Sequence, residues 1–172
     1  MCEMNLEGWV IRKATKADLP ALLAIYNDEV LHGVATFDTV PREGAAADAW
    51  FRAHNCDNHP LLVAEQKGCL GGYVSLSTFN AKSAYDSTVE LSLYIDRNFR
   101  GQGLGKQMMA AIIAEAKADA VTHSIISLIT GTNEASLHLH ECFGFTKVGT
   151  MHEVGFKAGQ LLDVHIYERI LK

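Results

Sequence analysis

A glycine-rich turn set between a strand and a helix constrains this chain more than any other feature. Arg100-Gly101-Gln102-Gly103-Leu104-Gly105-Lys106 directly follows the strand-like run Thr88-Val89-Glu90-Leu91-Ser92-Leu93-Tyr94-Ile95. It opens a helical pattern in which Met108, Met109, Ile112, Ile113 and Ala116 fall on one face. A strand, a turn rich in bare N–H groups and a helix N-terminus together make a site for an anion, most often a phosphate. Glycine clusters also serve as plain connections between elements, so the rest of the chain decides between the two readings.

Two nucleotide motifs fail on spacing. A P-loop reads G-x-x-x-x-G-K-S/T, and Gln107 follows Lys106 where the magnesium-binding hydroxyl belongs. Neither Gly101-x-Gly103 nor Gly103-x-Gly105 extends to the G-x-G-x-x-G of a dinucleotide fold, and the unit lies past mid-chain rather than in an early βαβ. The spacing that is satisfied is R-x-x-G-x-G, at Arg100, Gly103 and Gly105.

At 172 residues, 48% of them apolar, the sequence reads as a single domain spanning 1–172 with material for a real core. Net charge is −5 and no basic block appears, which argues against a nucleic-acid partner. No apolar run approaches the roughly 20 residues of a membrane span. Met1-Cys2-Glu3-Met4-Asn5 lacks the basic and apolar regions of a leader peptide. Cys2, Cys56, Cys69 and Cys142 show neither metal-type nor C-x-x-C spacing, and are read as reduced thiols of a cytoplasmic protein.

The periodicities give an element order. Val10–Ala14 reads as a first strand. Asp18 is a plausible cap, with Pro20 in the first turn, for a helix carrying Leu19, Leu22, Leu23, Tyr26 and Val30 as its stripe. A second helix is predicted from about Arg42 to Asn55, with Trp50 and Phe51 as buried anchors. Leu61–Glu65, the Lys67-Gly68 turn and Gly72–Leu76 form a hairpin. After the glycine-loop helix come a strand over Ser124–Ile129, a short helix from Asn133 to Glu141, a strand from Phe145 to Val148 and a last strand near Asp163 to Ile170.

This β-α-α-β-β-β-α-β-α-β-β order, with R-x-x-G-x-G before the third helix, resembles the GNAT acetyltransferase superfamily over essentially the whole chain. Asn133-Glu134-Ala135-Ser136-Leu137-His138-Leu139-His140-Glu141-Cys142-Phe143-Gly144-Phe145 is similar to the N-x-A-S-x-x-L-H-E-x-x-G-F segment of the phosphinothricin and methionine sulfoximine N-acetyltransferases. Thr88–Ile95 resembles their T-V-E-x-S-V-Y-V strand, and Ile25-Tyr26-Asn27 and Ala35-Thr36-Phe37 also match. The chain departs from that branch at Phe79-Asn80, where an aromatic-arginine pair is usual, and at Leu161-Leu162-Asp163, where W-L-D is usual. Both departures fall on the acceptor side.

The resemblance implies an α/β (α+β) fold with a central mixed, mostly antiparallel twisted sheet flanked by about four helices. It implies an acetyl-CoA-dependent N-acetyltransferase that transfers acetyl to the primary amine of a small amino-acid-like acceptor by direct attack in a ternary complex. The methionine sulfoximine, methionine sulfone or phosphinothricin type of acceptor is favoured. Peptide or protein N-termini, polyamines, or a non-catalytic acyl-CoA-binding role are the alternatives. A homodimer is expected on resemblance alone.

For the cofactor, the resemblance assigns Gly101, Gln102, Gly103, Leu104, Gly105 and Lys106 to the pyrophosphate, with Arg100 and Lys106 adding ionic contacts. Leu93, Tyr94 and Ile95 are assigned to the pantetheine arm, and Asn133 and Ser136 to the pantetheine or phosphate end of the cofactor; both lie at the start of the short helix, where capping it is a compatible role. Phe37, Phe79, Asn80, Lys82 and Tyr85 are candidates for the acceptor pocket, Lys82 as a substitute for the arginine missing at Asn80, with Thr36 beside Phe37.

Strand alternation puts Glu90, Ser92 and Tyr94 on one face and Val89, Leu91, Leu93 and Ile95 on the other. A carboxylate beside apolar neighbours in a cleft has a raised pKa, which suits a general base working near neutrality. Strand position alone fits a solvated glutamate better; the match to the branch's strand makes Glu90 the candidate base. His140 stands where many GNAT enzymes carry a tyrosine, and could give a proton to the departing thiolate or share in deprotonation. His138 and His140, two apart on a helix, face different ways and make a poor metal pair, so no metal is expected.

Overall fold

The computed structural model describes residues 8–171, where seven strands form one sheet in the order β1-β2-β3-β4-β5-β7-β6. In chain order the elements are β1 (Val10–Lys13), α1 (Leu19–His32), α2 (Gly44–Arg52), β2 (Leu61–Gln66), β3 (Cys69–Thr78), β4 (Thr88–Ile95), α3 (Leu104–Ala118), β5 (Ser124–Thr130), α4 (Glu134–Cys142), β6 (Thr146–Lys157) and β7 (Gln160–Ile170). This is the GNAT fold. β4 and β5 run parallel, and the other neighbouring strands are antiparallel.

The feature that positions the site is a ladder that stops early. β4 pairs with β3 from Val89 opposite Thr78 to Ile95 opposite Gly72. Against β5 it makes three rungs only: Thr88 with Ser124, Val89 with Ile125, Glu90 with Ile126. β5 runs on to Thr130, held by β7 on its far side. Beyond Glu90 and Ile126 the two strands part, and the sheet is split from that point to its end.

Two cores clamp the sheet. On one face Val74, Leu76, Val89, Leu91, Ile125 and Ile129 pack under Met108, Met109 and Ile112 of α3. On the other, Leu61, Val63 and Tyr73 pack under Leu22, Ile25, Tyr26 and Val30 of α1, with Tyr94 at the margin. Met108 and Met109 are wholly buried, and truncating a side chain so placed costs about 2–5 kcal/mol. The α3 stripe read from the sequence is buried whole; in α1 Leu19, Leu22, Tyr26 and Val30 are buried, Leu23 is half-buried, and Ile25, outside the predicted stripe, is buried as well.

Several details differ. Asp18 ends a 3₁₀ turn, Lys16–Asp18, ahead of α1 and makes no cap bond to that helix. Its carboxylate instead accepts from the Thr15 backbone N–H and from Arg12, which draws its pKa down to about 2. α2 is shorter than predicted because the chain around Arg42 is tied back by Asn27, and Trp50 and Phe51 are half-buried, with Ala47 the buried position. β6 is far longer than Phe145–Val148: register shifts after Lys147 and Met151 break the alternation that would have revealed it. Cys69 is disulfide-bonded, against the expectation of a reduced thiol, while Cys56 and Cys142 are free. Cys2 and the N-terminal stretch judged for a leader lie outside the described residues.

Candidate active site

Where β4 and β5 part, a cleft of about 350 Å³ opens. β4 contributes Glu90 to Tyr94, β5 Ser127 to Thr130, and α4 and its cap Asn133, Ser136 and His140. Ala35, Thr36 and Phe37 come from the loop after α1, and Met151, Val154 and Val164 from β6 and β7. Because the opening is a gap in the sheet, it can be entered from the α1 face and from the α3 face.

Glu90 stands at the vertex of this gap. It shares its face of β4 with Tyr94, whose ring packs edge-on against Tyr26 at 5.2 Å and near Tyr73 at 5.3 Å, on the α1 side. The half-buried carboxylate has no hydrogen-bond or ion-pair partner among the described residues, and burial alone pushes its pKa up. A carboxylate so placed retains its proton to higher pH than usual and is an effective acceptor once ionised.

His140 and Ser127 look into the gap from the other side. Ser127 shares its face of β5 with Ile125 and Ile129, which belong to the α3 core, and it pairs with Tyr167. His140 lies against Phe145, at 4.9 Å between rings, and Tyr167, at 6.4 Å. Its Nδ1 is 2.7 Å from the Ser136 carbonyl oxygen, so Nδ1 carries the hydrogen and donates it. Burial lowers the His140 pKa, the Ser136 carbonyl opposing this in part, and the ring is held neutral. Nε2 is then a lone pair. Nε2 and the Ser127 hydroxyl are both buried without a protein partner. Orphaned polar atoms of this kind imply an unseen partner, and here both belong to residues lining the cleft. Sequence reasoning passed over Ser127; a lone hydroxyl in the middle of an apolar strand was the available signal.

The glycine loop takes the conformation its composition allows. Gly101 and Gly103 sit at φ 72° and 82°, and Gly103 is the N-cap of α3. Leu104 and Gly105 begin the helix, where N–H groups lack intrahelical acceptors, and a Cβ on Gly105 would meet only Leu139 and Leu93, at 3.4 and 4.0 Å. The loop therefore offers backbone, unobstructed, to an anion. Lys106 is exposed there, whereas the Leu104 side chain is buried in the core. Gln102 donates its side-chain amide to the Asn98 carbonyl at 3.0 Å. Arg100 is spent elsewhere: it donates to the Ile95 carbonyl at 2.9 Å and pairs with Glu29 at 3.0 Å.

Leu93 and Tyr94 line the cleft and Ile95 does not. Asn133 caps α4, its side chain accepting from the Ser136 N–H at 3.2 Å. Phe37 is a cleft wall. Phe79, Asn80, Lys82 and Tyr85 are not brought to the cleft. They form a local cluster on the β3–β4 connection, with Phe79 against Tyr85 at 5.6 Å and Asn80 accepting from the Lys82 N–H at 3.1 Å. Among the described residues no group of three or more His, Cys, Asp or Glu is placed to hold a metal, and no helix is long and apolar enough to cross a membrane.

Residues 19–145, which carry the parted β4–β5 strands and the glycine-loop helix, match the model of the acetyltransferase (GNAT) family. The chain belongs to the GNAT family. As a GNAT N-acetyltransferase it is similar to an L-amino acid N-acyltransferase of Escherichia coli, MnaT, at 36% identity over 90% of this chain and 89% of that protein. It is 39% identical to an L-methionine sulfoximine/L-methionine sulfone acetyltransferase of Pseudomonas paraeruginosa, over 90% of each. A GNAT phosphinothricin acetyltransferase from Sinorhizobium meliloti, solved in complex with acetyl-CoA, superposes with a TM-score of 0.90 at 33% identity, covering 95% of this chain and 88% of that one. The glycine loop and parted strands of this GNAT enzyme fit such a co-substrate.

Proposed function

We propose that this enzyme acetylates the primary amine of a small amino-acid-like acceptor, of the methionine sulfoximine, methionine sulfone or phosphinothricin type, by direct transfer in a ternary complex. The observation that carries the reading is Glu90: a partnerless, desolvated carboxylate at the vertex of a gap open to both faces of the sheet. The names of the relatives supply the acceptor class.

Acetyl-CoA supplies the activated acetyl thioester. Backbone N–H groups of Gly101 to Lys106 bind its phosphates, the open edge of β4 at Leu93 and Tyr94 orients its arm, and Asn133 and Ser136 line the same channel. The acceptor enters from the α1 face, against Thr36 and Phe37. Glu90 takes a proton from its ammonium group, directly or through water, so that the nitrogen lone pair is free to attack. As the C–N bond forms the C–S bond breaks, the nitrogen sheds its second proton, and the sulfur takes up a proton as it leaves as the CoA thiol on the side of Ser127 and His140. With Nδ1 committed to Ser136, His140 accepts a hydrogen bond at Nε2, and Ser127 is the donor beside it. Among the described residues Glu90 is the sole carboxylate lining the cleft, which favours a monoamine over a polyamine. A homodimer accords with the apolar residues exposed on the β6–β7 hairpin, Val154, Phe156 and Leu161.

The test is acceptor-dependent release of CoA, followed by chromatography across methionine sulfoximine, methionine sulfone, phosphinothricin, ordinary amino acids, spermidine and short peptides. Turnover on the first three is expected. Turnover confined to peptides or spermidine would overturn the acceptor assignment and leave the chemistry standing.

A further inference from the structure

Glu29, in the last turn of α1, is a carboxylate only 5% exposed and outside the cleft. Its Oε1 accepts from the backbone N–H of Ala35 at 2.9 Å, and its Oε2 from Arg100 Nη2 at 3.0 Å. Ala35 opens the segment that walls the cleft with Thr36 and Phe37. Arg100 opens the glycine loop and also grips the end of β4 through the Ile95 carbonyl. One buried carboxylate thus touches the acceptor wall with one oxygen and the donor loop with the other.

The surroundings are built for this arrangement. A Cβ on Gly33 would lie 1.8 Å from Glu29 Oε1, so glycine is what lets the carboxylate fold back over the end of its own helix. The acceptor segment is otherwise held by the Thr130 hydroxyl, donating to the Val34 carbonyl at 2.6 Å, and by Lys157, donating to the Thr36 carbonyl at 2.6 Å. Those bonds fix the segment to β5 and β6, and Glu29 carries it on to the glycine loop. If Arg100 swung away toward a phosphate, this buried carboxylate would keep only the Ala35 N–H and the Lys157 ammonium, which lies against the Glu29 backbone carbonyl at 3.5 Å, and would lose its one side-chain ion pair among the described residues, which is unfavourable.

We propose that Glu29 is a positioning residue that couples occupancy of the donor loop to placement of the acceptor wall, with Arg100 as its transmitting partner and not a phosphate ligand. This rests on the glycine loop holding acetyl-CoA and on Phe37 facing the acceptor, as proposed above.

The test compares Glu29→Gln, Arg100→Gln and the double variant by titration calorimetry with acetyl-CoA, with no acceptor present, and by hydrogen exchange of residues 33–38 with and without acetyl-CoA. In the wild type, acetyl-CoA should slow exchange in 33–38 as well as in 101–107. Each single variant should weaken acetyl-CoA binding at least about fivefold. The double variant should be no weaker than the worse single, and protection of 33–38 should disappear in all three while that of 101–107 persists at saturating acetyl-CoA. Should Arg100→Gln alone fail to fold, the double variant leaves no charge stranded and keeps the comparison. Undiminished affinity in Glu29→Gln, additive losses in the double variant, or protection of 33–38 that survives in Glu29→Gln would each overturn the coupling. Neither readout needs turnover, so a wrong acceptor assignment would leave the result intact.

Discussion

Glu90 faces Ile126 across the last rung of the parallel β4–β5 ladder. One residue further on, the strands have separated and their facing backbone edges line a cleft instead of bonding each other. The candidate base is therefore fixed by a rung of sheet on one side and open to the gap on the other. Strain is not needed to hold it, since both strands are anchored through their other neighbours, β3 and β7.

Replacing Glu90 by Gln should lower kcat on the order of a hundredfold or more, with acetyl-CoA affinity changed less than twofold. Wild-type kcat/KM should rise with pH along a limb set above the usual glutamate value of about 4.3, and the variant should lack that limb. Stability gives the same sign independently. Burial raises the Glu90 pKa in the folded state, so the folded protein holds this proton more tightly than the unfolded chain. The carboxyl therefore costs stability progressively as pH rises from its unfolded to its folded pKa. Glu90→Gln should melt higher than wild type at neutral pH and level with it in acid below both values. Equal melting at every pH would remove the desolvation argument.

The imidazole of His140 should be the neutral Nδ1–H tautomer at pH 7, read directly from ring ¹⁵N shifts. Burial lowers its folded pKa, so its contribution to stability is whole above the unfolded value of about 6.5 and is lost as pH falls through the folded one. A His140→Gln variant, with no ring to titrate, should lose less stability between pH 8 and 5. An Nε2–H ring at neutral pH would contradict the hydrogen bond to Ser136 and restore this histidine as a proton donor.

Ser127→Ala should separate stability from binding. Removing a buried hydroxyl with no partner leaves folding stability unchanged or raises it by up to about 1 kcal/mol. If that hydroxyl donates to acetyl-CoA, the same change weakens acetyl-CoA binding by roughly two- to tenfold, the worth of one hydrogen bond. Thermal melting and calorimetry on one variant give both numbers, and unchanged affinity would mean the hydroxyl serves nothing in the cleft.

The fold was legible wherever one residue's environment followed from its neighbours in sequence. The stripe Met108, Met109, Ile112, Ile113 and the alternation across Val89 to Tyr94 each point to a face without reference to anything distant. The second half of β6 was not legible, because bulges after Lys147 and Met151 scramble its alternation and its pairing with β7 is set in three dimensions. The same division runs through the site. The glycine turn announces itself locally, and so does Asn133 as a helix cap, whereas Glu90 was singled out only by the resemblance of its strand. Arg100 read as a phosphate contact because its partner, Glu29, lies 71 residues away. Lys82 and Tyr85 read as pocket residues from motif position, yet the β3–β4 connection closes on itself around Phe79 and Asn80.

Gly155 offers a way to move the acceptor wall without touching the donor side. A Cβ at that position would fall 2.1 Å from Phe37 Cε2, and the aromatic ring cannot stay where it is. The backbone of Gly155 is not left-handed, so alanine brings steric pressure on Phe37 and little else. Overpacking of this kind costs about 1–3 kcal/mol, which for a domain of this size lowers the melting point by roughly 2–12 °C. Acetyl-CoA affinity in Gly155→Ala should stay within twofold of wild type, because the glycine loop, Asn133 and the open edge of β4 are untouched. The acceptor KM should rise by roughly tenfold, the discrimination that a shift of about a methylene produces in an apolar pocket. Phe37→Ala in the Gly155→Ala background removes the clash and should recover the melting point without recovering the acceptor KM. An unchanged KM in both variants would show that Phe37 is no part of the acceptor wall, and that the amine reaches Glu90 by another route.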